Sequence, residues 1–189
     1  MFFILKGVVL FMKTFTFGEL SKDVRKHVVE YVYDSNSFLD RVENSLTDDL
    51  FYSFVVPISA SFVINKENKK PVFLIDSFSF SLDKDILEYA LTEEDNKLFS
   101  WLNEEERIFA HYENDELRLF LFSADGEEKE NNLDSPDIYR VLNDFTMNMK
   151  ERSEIIVKEN TEEYLSNEAV EEFLDEFETV FLEDGTIIG

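Results

Sequence analysis

The negative charge of this chain is concentrated in its second part, which limits what the chain can fold into. Residues 1–82 contain ten acids and nine bases, whereas residues 83–189 contain thirty-two acids and nine bases. The formal net charge is −24, and −23 of it belongs to residues 83–189. Like charges repel, so a compact fold needs a large apolar core to offset the repulsion. Such a field also repels nucleic acid and attracts basic surfaces.

The apolar residues are numerous enough to supply that core. Hydrophobic types make up 44% of the 189 residues, and twenty residues are Phe, which excludes a disordered chain. The absence of cysteine excludes disulfides, thiolate nucleophiles and zinc–thiolate sites, and it fits a protein of the reducing cytoplasm. No apolar run reaches the roughly 20 residues that a membrane span requires.

Residues 12–189 are predicted to form a single α+β domain. Residues 1–11 (MFFILKGVVLF) are considered separately from it. The early Lys6 lies inside the apolar stretch and no small-residue cleavage site follows, which argues against a signal peptide. We favour an upstream extension with translation starting at Met12, because codons for Lys6–Val8 can resemble a bacterial ribosome-binding site. An N-terminal strand is the alternative.

Hydrophobic periodicity predicts an α+β fold: a small antiparallel sheet packed by four to five helices with an acidic outer helical face. Ser21, Asp83, Thr92 and Ser166 are predicted N-caps, and Pro136 is predicted to open a long helix. The predicted helices cover 22–33, 38–51, 83–91, 92–101, 135–158 and a last segment after Ser166. The predicted strands cover 13–17, 59–64, 72–82, 107–112 and 117–122, with a terminal hairpin over 180–188.

Three of these elements have a predicted buried side. In the strand over 72–82, Phe78, Phe80 and Leu82 alternate with serines, which predicts a half-buried strand. The apolar face of the long helix consists of Ile138, Val141, Leu142, Phe145, Met149 and Ile156. The residues predicted to lie inside in the last helix are Val170, Phe173, Leu174 and Phe177.

Two segments at opposite ends of the chain resemble a known family. They are Phe15–Ser21 (FTFGELS) and Tyr164–Ala169 (YLSNEA), the latter continuing into Val180–Ile187 (VFLEDGTI). This combination is similar to small acidic proteins of bacterial viruses and mobile elements, whose chains open with F-x-F-x-E-L-S and close with F-x-E-D-G-x-I. The strand Ser77–Ser81 resembles the family's central strand. The Gly-rich stretch that follows it in the family is replaced here by Asp83–Trp101.

The resemblance implies a counter-defence role and supplies no catalytic residues. The chain also resembles type II-A anti-CRISPR proteins, less closely than it resembles the family above. The function implied is inhibition of a nucleic-acid-binding host protein, above all the RNA-guided nuclease of a type II CRISPR system. We therefore predict a protein that is not an enzyme, uses no cofactor and does not itself bind nucleic acid strongly.

The predicted partner-binding residues are carboxylates near the C-terminus. No Lys or Arg follows Lys158. Duplex DNA carries one charge per about 1.7 Å of axis, so a stripe of carboxylates can occupy a cleft that binds phosphates. A merely solvated acidic surface is the alternative. The predicted residues are Glu162, Glu163, Glu168, Glu171, Glu172, Asp175, Glu176 and Glu178.

A different class of function remains open: an acidic adaptor or antitoxin-like protein that neutralises a basic partner without imitating DNA. The oligomeric state is left open. Carboxylate groups near Asp83, Glu93 and Asp125 are attributed to the high acid content, and no metal site is predicted.

The remaining candidate residues are given structural roles. His27 and His111 are expected to be ordinary helix and strand residues, and the Lys66/Lys69/Lys70 turn to be solvated. Trp101 and Tyr112 are expected in the core, with a role as partly exposed anchors for a partner as the alternative.

Overall fold

The computed structural model describes residues 2–5, 8–11, 13–129, 133 and 135–188. Within these residues the chain forms six α-helices and a five-stranded antiparallel sheet, which confirms the predicted α+β class. No helix in this part of the chain is both long and apolar enough to cross a membrane. The helices are α1 Lys22–Val32, α2 Asn36–Ser53, α3 Lys84–Ala90, α4 Glu93–Asn96, α5 Pro136–Tyr164 and α6 Asn167–Glu176. The strands are β1 Phe2–Leu5, β2 Val8–Phe11, β3 Ile58–Glu67, β4 Lys70–Leu82, β5 Arg107–Glu113, β6 Glu116–Phe122 and β7 Glu128–Lys129.

The chain divides into two compact units. Unit 1 consists of Met1–Val42, Lys66–Val72 and Thr161–Gly189, and unit 2 consists of Glu43–Asn65 and Phe73–Asn160. The prediction of one domain over residues 12–189 stays a prediction. The strands β1 and β2 pair antiparallel, with Phe2 opposite Phe11 and Leu5 opposite Val8. Whether residues 1–11 are an upstream extension also stays a prediction.

The sheet of unit 2 has the strand order β3-β4-β5-β6-β7, so β3 lies at an edge. Pro57 precedes β3 directly, in keeping with the preference of proline for strand starts and edges. In β4, Phe78, Phe80 and Leu82 are buried while the serines between them are not, because successive side chains point to opposite faces. The predicted half-buried strand is confirmed.

Helix α5 begins at Pro136, as predicted, and continues to Tyr164 rather than ending near Lys158. Its buried stripe starts as predicted with Ile138, Val141, Leu142 and Met149. The other buried positions are Thr146, Ser153 and Val157, whereas the predicted Phe145 and Ile156 are half-buried. A 29-residue helix rotates its buried stripe gradually, because 3.6 residues per turn does not match a strict heptad.

Unit 1 joins the two ends of the chain. Phe15 and Phe181 form an isolated antiparallel bridge with two backbone hydrogen bonds of 2.9 Å. The predicted strand over 13–17 is therefore reduced to one bridged residue. A 3₁₀ turn over Phe17–Glu19 follows instead, because the Thr16 amide donates to Glu19 Oε2 at 2.9 Å and closes a capping box.

Candidate functional site

Helix α6 fixes the orientation of the predicted acidic residues. The Ser166 hydroxyl accepts a hydrogen bond from the Ala169 amide, so the helix begins as predicted. Val170, Phe173 and Leu174 are buried in unit 1, and this anchors one side of the helix. Carboxylates at the remaining positions are then directed away from the apolar contacts.

Seven of the eight predicted carboxylates are exposed, and Glu171 is half-buried. We call these eight residues the C-terminal acidic set: Glu162, Glu163, Glu168, Glu171, Glu172, Asp175, Glu176 and Glu178. Within the described part of the chain, one member forms an ion pair: Arg41 donates to Glu176. The pairs Glu168/Glu172 and Glu172/Glu176 lie four residues apart, a like-charge spacing that costs a few tenths of a kcal/mol each.

The prediction that Phe177 lies inside is wrong: 61% of this residue is exposed. Helix α6 ends at Glu176, Phe177 is the C-cap, and Glu178 adopts a left-handed conformation with φ of 49°. Because the helix ends before Phe177, this residue does not lie on the buried side of α6 with Val170, Phe173 and Leu174. Its ring packs against Phe173, with the ring centroids 5.0 Å apart, and stands among exposed carboxylates. The i,i+4 spacing from Phe173 could not show that the helix ends one residue earlier.

Unit 2 carries a second exposed set that the sequence did not single out. We call it the aromatic patch, and it consists of Phe51, Tyr52, Val55 and Tyr89. Tyr52 is 80%, Tyr89 76% and Val55 65% exposed. The Phe51 and Tyr52 rings meet edge to face at 5.2 Å, while Val55 and Tyr89 line one concavity of about 300 Å³.

Trp101 and Tyr112, which the sequence offered as possible anchors for a partner, are not part of the aromatic patch. Tyr112 is buried in the core of unit 2, and its hydroxyl donates to Asp115 at 2.9 Å. Burial and this hydrogen bond raise the pKa of the Tyr112 hydroxyl. Trp101 is half-buried and packs against the same core. The hypothesis that Tyr112 is a partner-facing anchor is therefore wrong.

The remaining candidates are the two histidines, the carboxylate groups and the basic turn. His27 is exposed on α1 at 3.9 Å from Glu30, and His111 lies on β5 at 4.0 Å from Glu113. In the described part of the chain, no group of three or more His, Asp or Glu residues is placed to hold a metal ion. Lys66 pairs with Asp34 and Lys69 with Glu30 at 2.9 Å, so part of the basic turn is engaged within unit 1.

Comparison with protein-family models, with curated proteins and with solved structures finds no match for this chain.

Proposed function

We propose that the protein is a phage-type counter-defence inhibitor that binds a basic nucleic-acid-binding host protein through the C-terminal acidic set. The observation that supports this most is the state of those carboxylates. Seven are exposed, and Arg41–Glu176 is the single ion pair the set makes among the described residues. Stability alone would favour lysine at several of these helix positions, because Glu–Lys pairs stabilise where Glu–Glu pairs destabilise.

The partner that best fits is the RNA-guided nuclease of a type II CRISPR system. Such nucleases hold a nucleic-acid duplex in a positively charged channel and read a short duplex motif with arginines. Carboxylates presented along a helix offer that channel negative charge without phosphates. The choice of this nuclease among basic proteins rests on the resemblance to type II-A anti-CRISPR proteins. The proposal involves no enzymatic activity and no cofactor.

Exposed apolar residues beside the charges support a protein partner. Phe177 stands between Glu176 and Glu178, and buried aromatic anchors commonly dominate the binding energy of protein interfaces. Carboxylates then supply fast association and orientation, while the ring supplies the desolvated contact.

The aromatic patch of unit 2 favours a second candidate, an adaptor or antitoxin-like protein that neutralises a basic partner without competing with DNA. Exposed apolar clusters mark protein-binding surfaces whether or not the partner's nucleic-acid site is involved. In that case Tyr52 and Tyr89, rather than the acidic set, determine affinity.

Competition for target DNA separates the two candidates. RNA-loaded type II nuclease is incubated with labelled target duplex and increasing amounts of the protein, and bound DNA is measured by gel shift. The proposal predicts loss of bound DNA. If the protein binds the nuclease but leaves its DNA binding unchanged, the adaptor is supported instead. If the protein does not bind the nuclease, the proposal is contradicted for this partner.

Charge reversal then tests the acidic set. Replacing Glu172, Asp175 and Glu178 by Lys should weaken competition about tenfold or more, because steering and complementarity are reversed. The matched control replaces Asp40, Glu67 and Asp76 by Lys. These three exposed acids lie outside the set, so the control should change competition about twofold or less. Exposed substitutions usually shift stability by about 0.5 kcal/mol or less, so both variants should stay folded.

A further inference from the structure

Unit 1 contains a groove of about 510 Å³ whose composition differs from that of the rest of the molecule. Its walls come from helix α1, from the turn between β3 and β4, and from the first turns of α6. Phe17 and Tyr33, both buried, and the half-buried Val29 contribute its apolar part. This volume lies within the roughly 300–1,000 Å³ typical of small-molecule sites.

Five basic side chains line this groove: Lys22, Arg25 and Lys26 from α1, and Lys69 and Lys70 from the turn. Asp23 and Glu30 of α1 line it as well. Lys69 donates to Glu30 at 2.9 Å, and this hydrogen bond holds the pKa of the Glu30 carboxyl below its ordinary value. Within the described part of the chain the other four bases have no ion pair.

Among the described residues these four bases have no ion pair, although Asp23 and Glu30 of α1 line the same groove. Acids outnumber bases by forty-two to eighteen, so a cation placed without constraint would readily find a carboxylate. Concentrating cations in a concave site, at the expense of surface pairing, is the arrangement that binds an anion. The first turn of α1, at Lys22, adds the positive end of its helix dipole.

The opposite side of the groove is acidic. Glu168 and Glu171 of α6 line it, together with Asn167, whose side-chain amide can both donate and accept hydrogen bonds. Carboxylates in nucleotide sites commonly accept hydrogen bonds from sugar hydroxyls, while bases hold the phosphates. The groove thus offers cations to one end of a ligand and acceptors to the other.

We infer that this groove binds a small phosphorylated ligand of nucleotide size, a nucleoside di- or triphosphate. Its phosphates lie against Lys22, Arg25, Lys26 and Lys70, and its sugar hydroxyls donate to Glu168 and Glu171. The groove shares Glu168 and Glu171 with the C-terminal acidic set, but the two proposals are tested separately. Nucleotide binding is measured on the free chain, so its failure leaves the proposed inhibition untouched, and failed inhibition leaves the groove untouched.

Calorimetric titration of the full chain tests the inference, with ATP, inorganic tripolyphosphate and adenosine as probes. We expect ATP to bind, tripolyphosphate to bind more weakly because it lacks the sugar, and adenosine not to bind at about 1 mM. Tripolyphosphate binding as tightly as ATP would overturn the role given to Glu168 and Glu171. Absence of ATP binding at that concentration would overturn the site.

Two matched double variants locate the binding. Arg25→Ala with Lys26→Ala should raise the Kd for ATP about tenfold or more, because two charge-assisted contacts are lost. Lys97→Ala with Lys158→Ala removes the same charge from unit 2 and should leave the Kd within about twofold. Equal losses in both variants would show a diffuse charge effect and overturn the site. Melting curves confirm that each variant is folded, and if the alanine variant fails to fold, Arg25→Gln with Lys26→Gln serves in its place.

Discussion

Gly185 occupies a position in the terminal turn where two requirements coincide. Its φ is 86°, in the left-handed region that favours glycine. A Cβ there would lie 2.8 Å from Val24 Cγ1 and 3.2 Å from Val28 Cγ2, both on helix α1. The turn can therefore close against α1 because this residue has no side chain. Gly185 thus has a role in folding.

Replacing Gly185 by Ala should lower the free energy of unfolding by about 2–4 kcal/mol, because backbone strain and overpacking add. Gly126 is the matched control: its φ is 82°, but nothing lies within 4 Å of an added Cβ. Gly126→Ala should cost about 1 kcal/mol, the backbone term alone. Denaturant titration measures both, and equal losses would contradict the close approach to Val24.

Glu106 is a buried carboxylate with two hydrogen bonds. Lys129 Nζ donates to Glu106 Oε1 at 2.7 Å and the Asn103 amide donates to Oε2 at 3.1 Å. These bonds, that from Lys129 most, hold the pKa of the Glu106 carboxyl below its ordinary value. A carboxyl whose pKa is lowered by folding stabilises the fold above its unfolded pKa, and that stabilisation is lost as pH falls through the folded pKa.

Glu106→Gln should therefore unfold at lower denaturant concentration than the wild type at pH 7. The difference should shrink below about pH 4.3, where the unfolded carboxyl takes up a proton and the wild type comes to resemble the amide. Glu104→Gln, at an exposed neighbouring position, should behave as the wild type throughout. A difference that persists unchanged to pH 3 would mean that shape, not charge, matters at Glu106.

At the scale of elements, helix α5 buries a hydroxyl without a partner. Ser153 is fully buried, and its Oγ has no hydrogen bond to any described residue. Thr146, which is buried about two turns earlier in the same helix, donates from Oγ1 to the Leu142 carbonyl at 2.6 Å. The two positions look alike in sequence and differ in whether the polar group is satisfied.

Ser153→Ala should raise the free energy of unfolding by about 1 kcal/mol, because it removes an unsatisfied hydroxyl and improves helix propensity. Thr146→Val, which keeps the shape and loses a hydrogen bond, should not raise it. Thermal and denaturant unfolding of the two variants measure the contrast. A destabilised Ser153→Ala variant would mean that its hydroxyl is bonded in solution.

Local signals were enough to predict most of the elements, but not the absence of a strand over 13–17 or the end of α4 at Asn96. The caps Ser21, Asp83, Thr92 and Ser166 all accept the expected backbone hydrogen bond, because an N-cap acts within three residues. The strand β4 followed from alternation alone. Such signals depend on the immediate neighbours of a residue in the sequence, so they can be recognised without knowing the tertiary packing.

The exposure of particular side chains and the assembly of the groove could not be predicted. Both depend on where an element ends or on which other elements pack against it. Phe177 has the spacing of a core residue, yet α6 stops before it. Tyr52 and Tyr89 have no periodicity that distinguishes an exposed ring from a buried one. The groove joins Lys22 to Lys70 and Glu171, which are remote in sequence, so no local pattern could assemble it.

At the scale of the whole molecule, charge acts on stability and on binding in opposite directions. Unit 1 holds sixteen acids and nine bases, and unit 2 holds twenty-six acids and nine bases. Each unit therefore repels itself when folded, and each attracts a basic partner. Mobile ions screen both effects, since the Debye length falls from about 10 Å at 0.1 M salt to about 3 Å at 1 M.

Raising sodium chloride from about 0.1 M to about 1 M should therefore raise the melting temperature of the free protein and weaken its complex with a basic partner. Calorimetry of the free chain and binding kinetics with the nuclease measure the two, and the loss of affinity should come mainly from slower association. The Glu172/Asp175/Glu178→Lys variant should show a smaller salt dependence of affinity, because less attraction remains to be screened. A complex insensitive to salt would place the binding energy in Tyr52, Val55 and Tyr89 instead, since burial of apolar surface is not screened by ions.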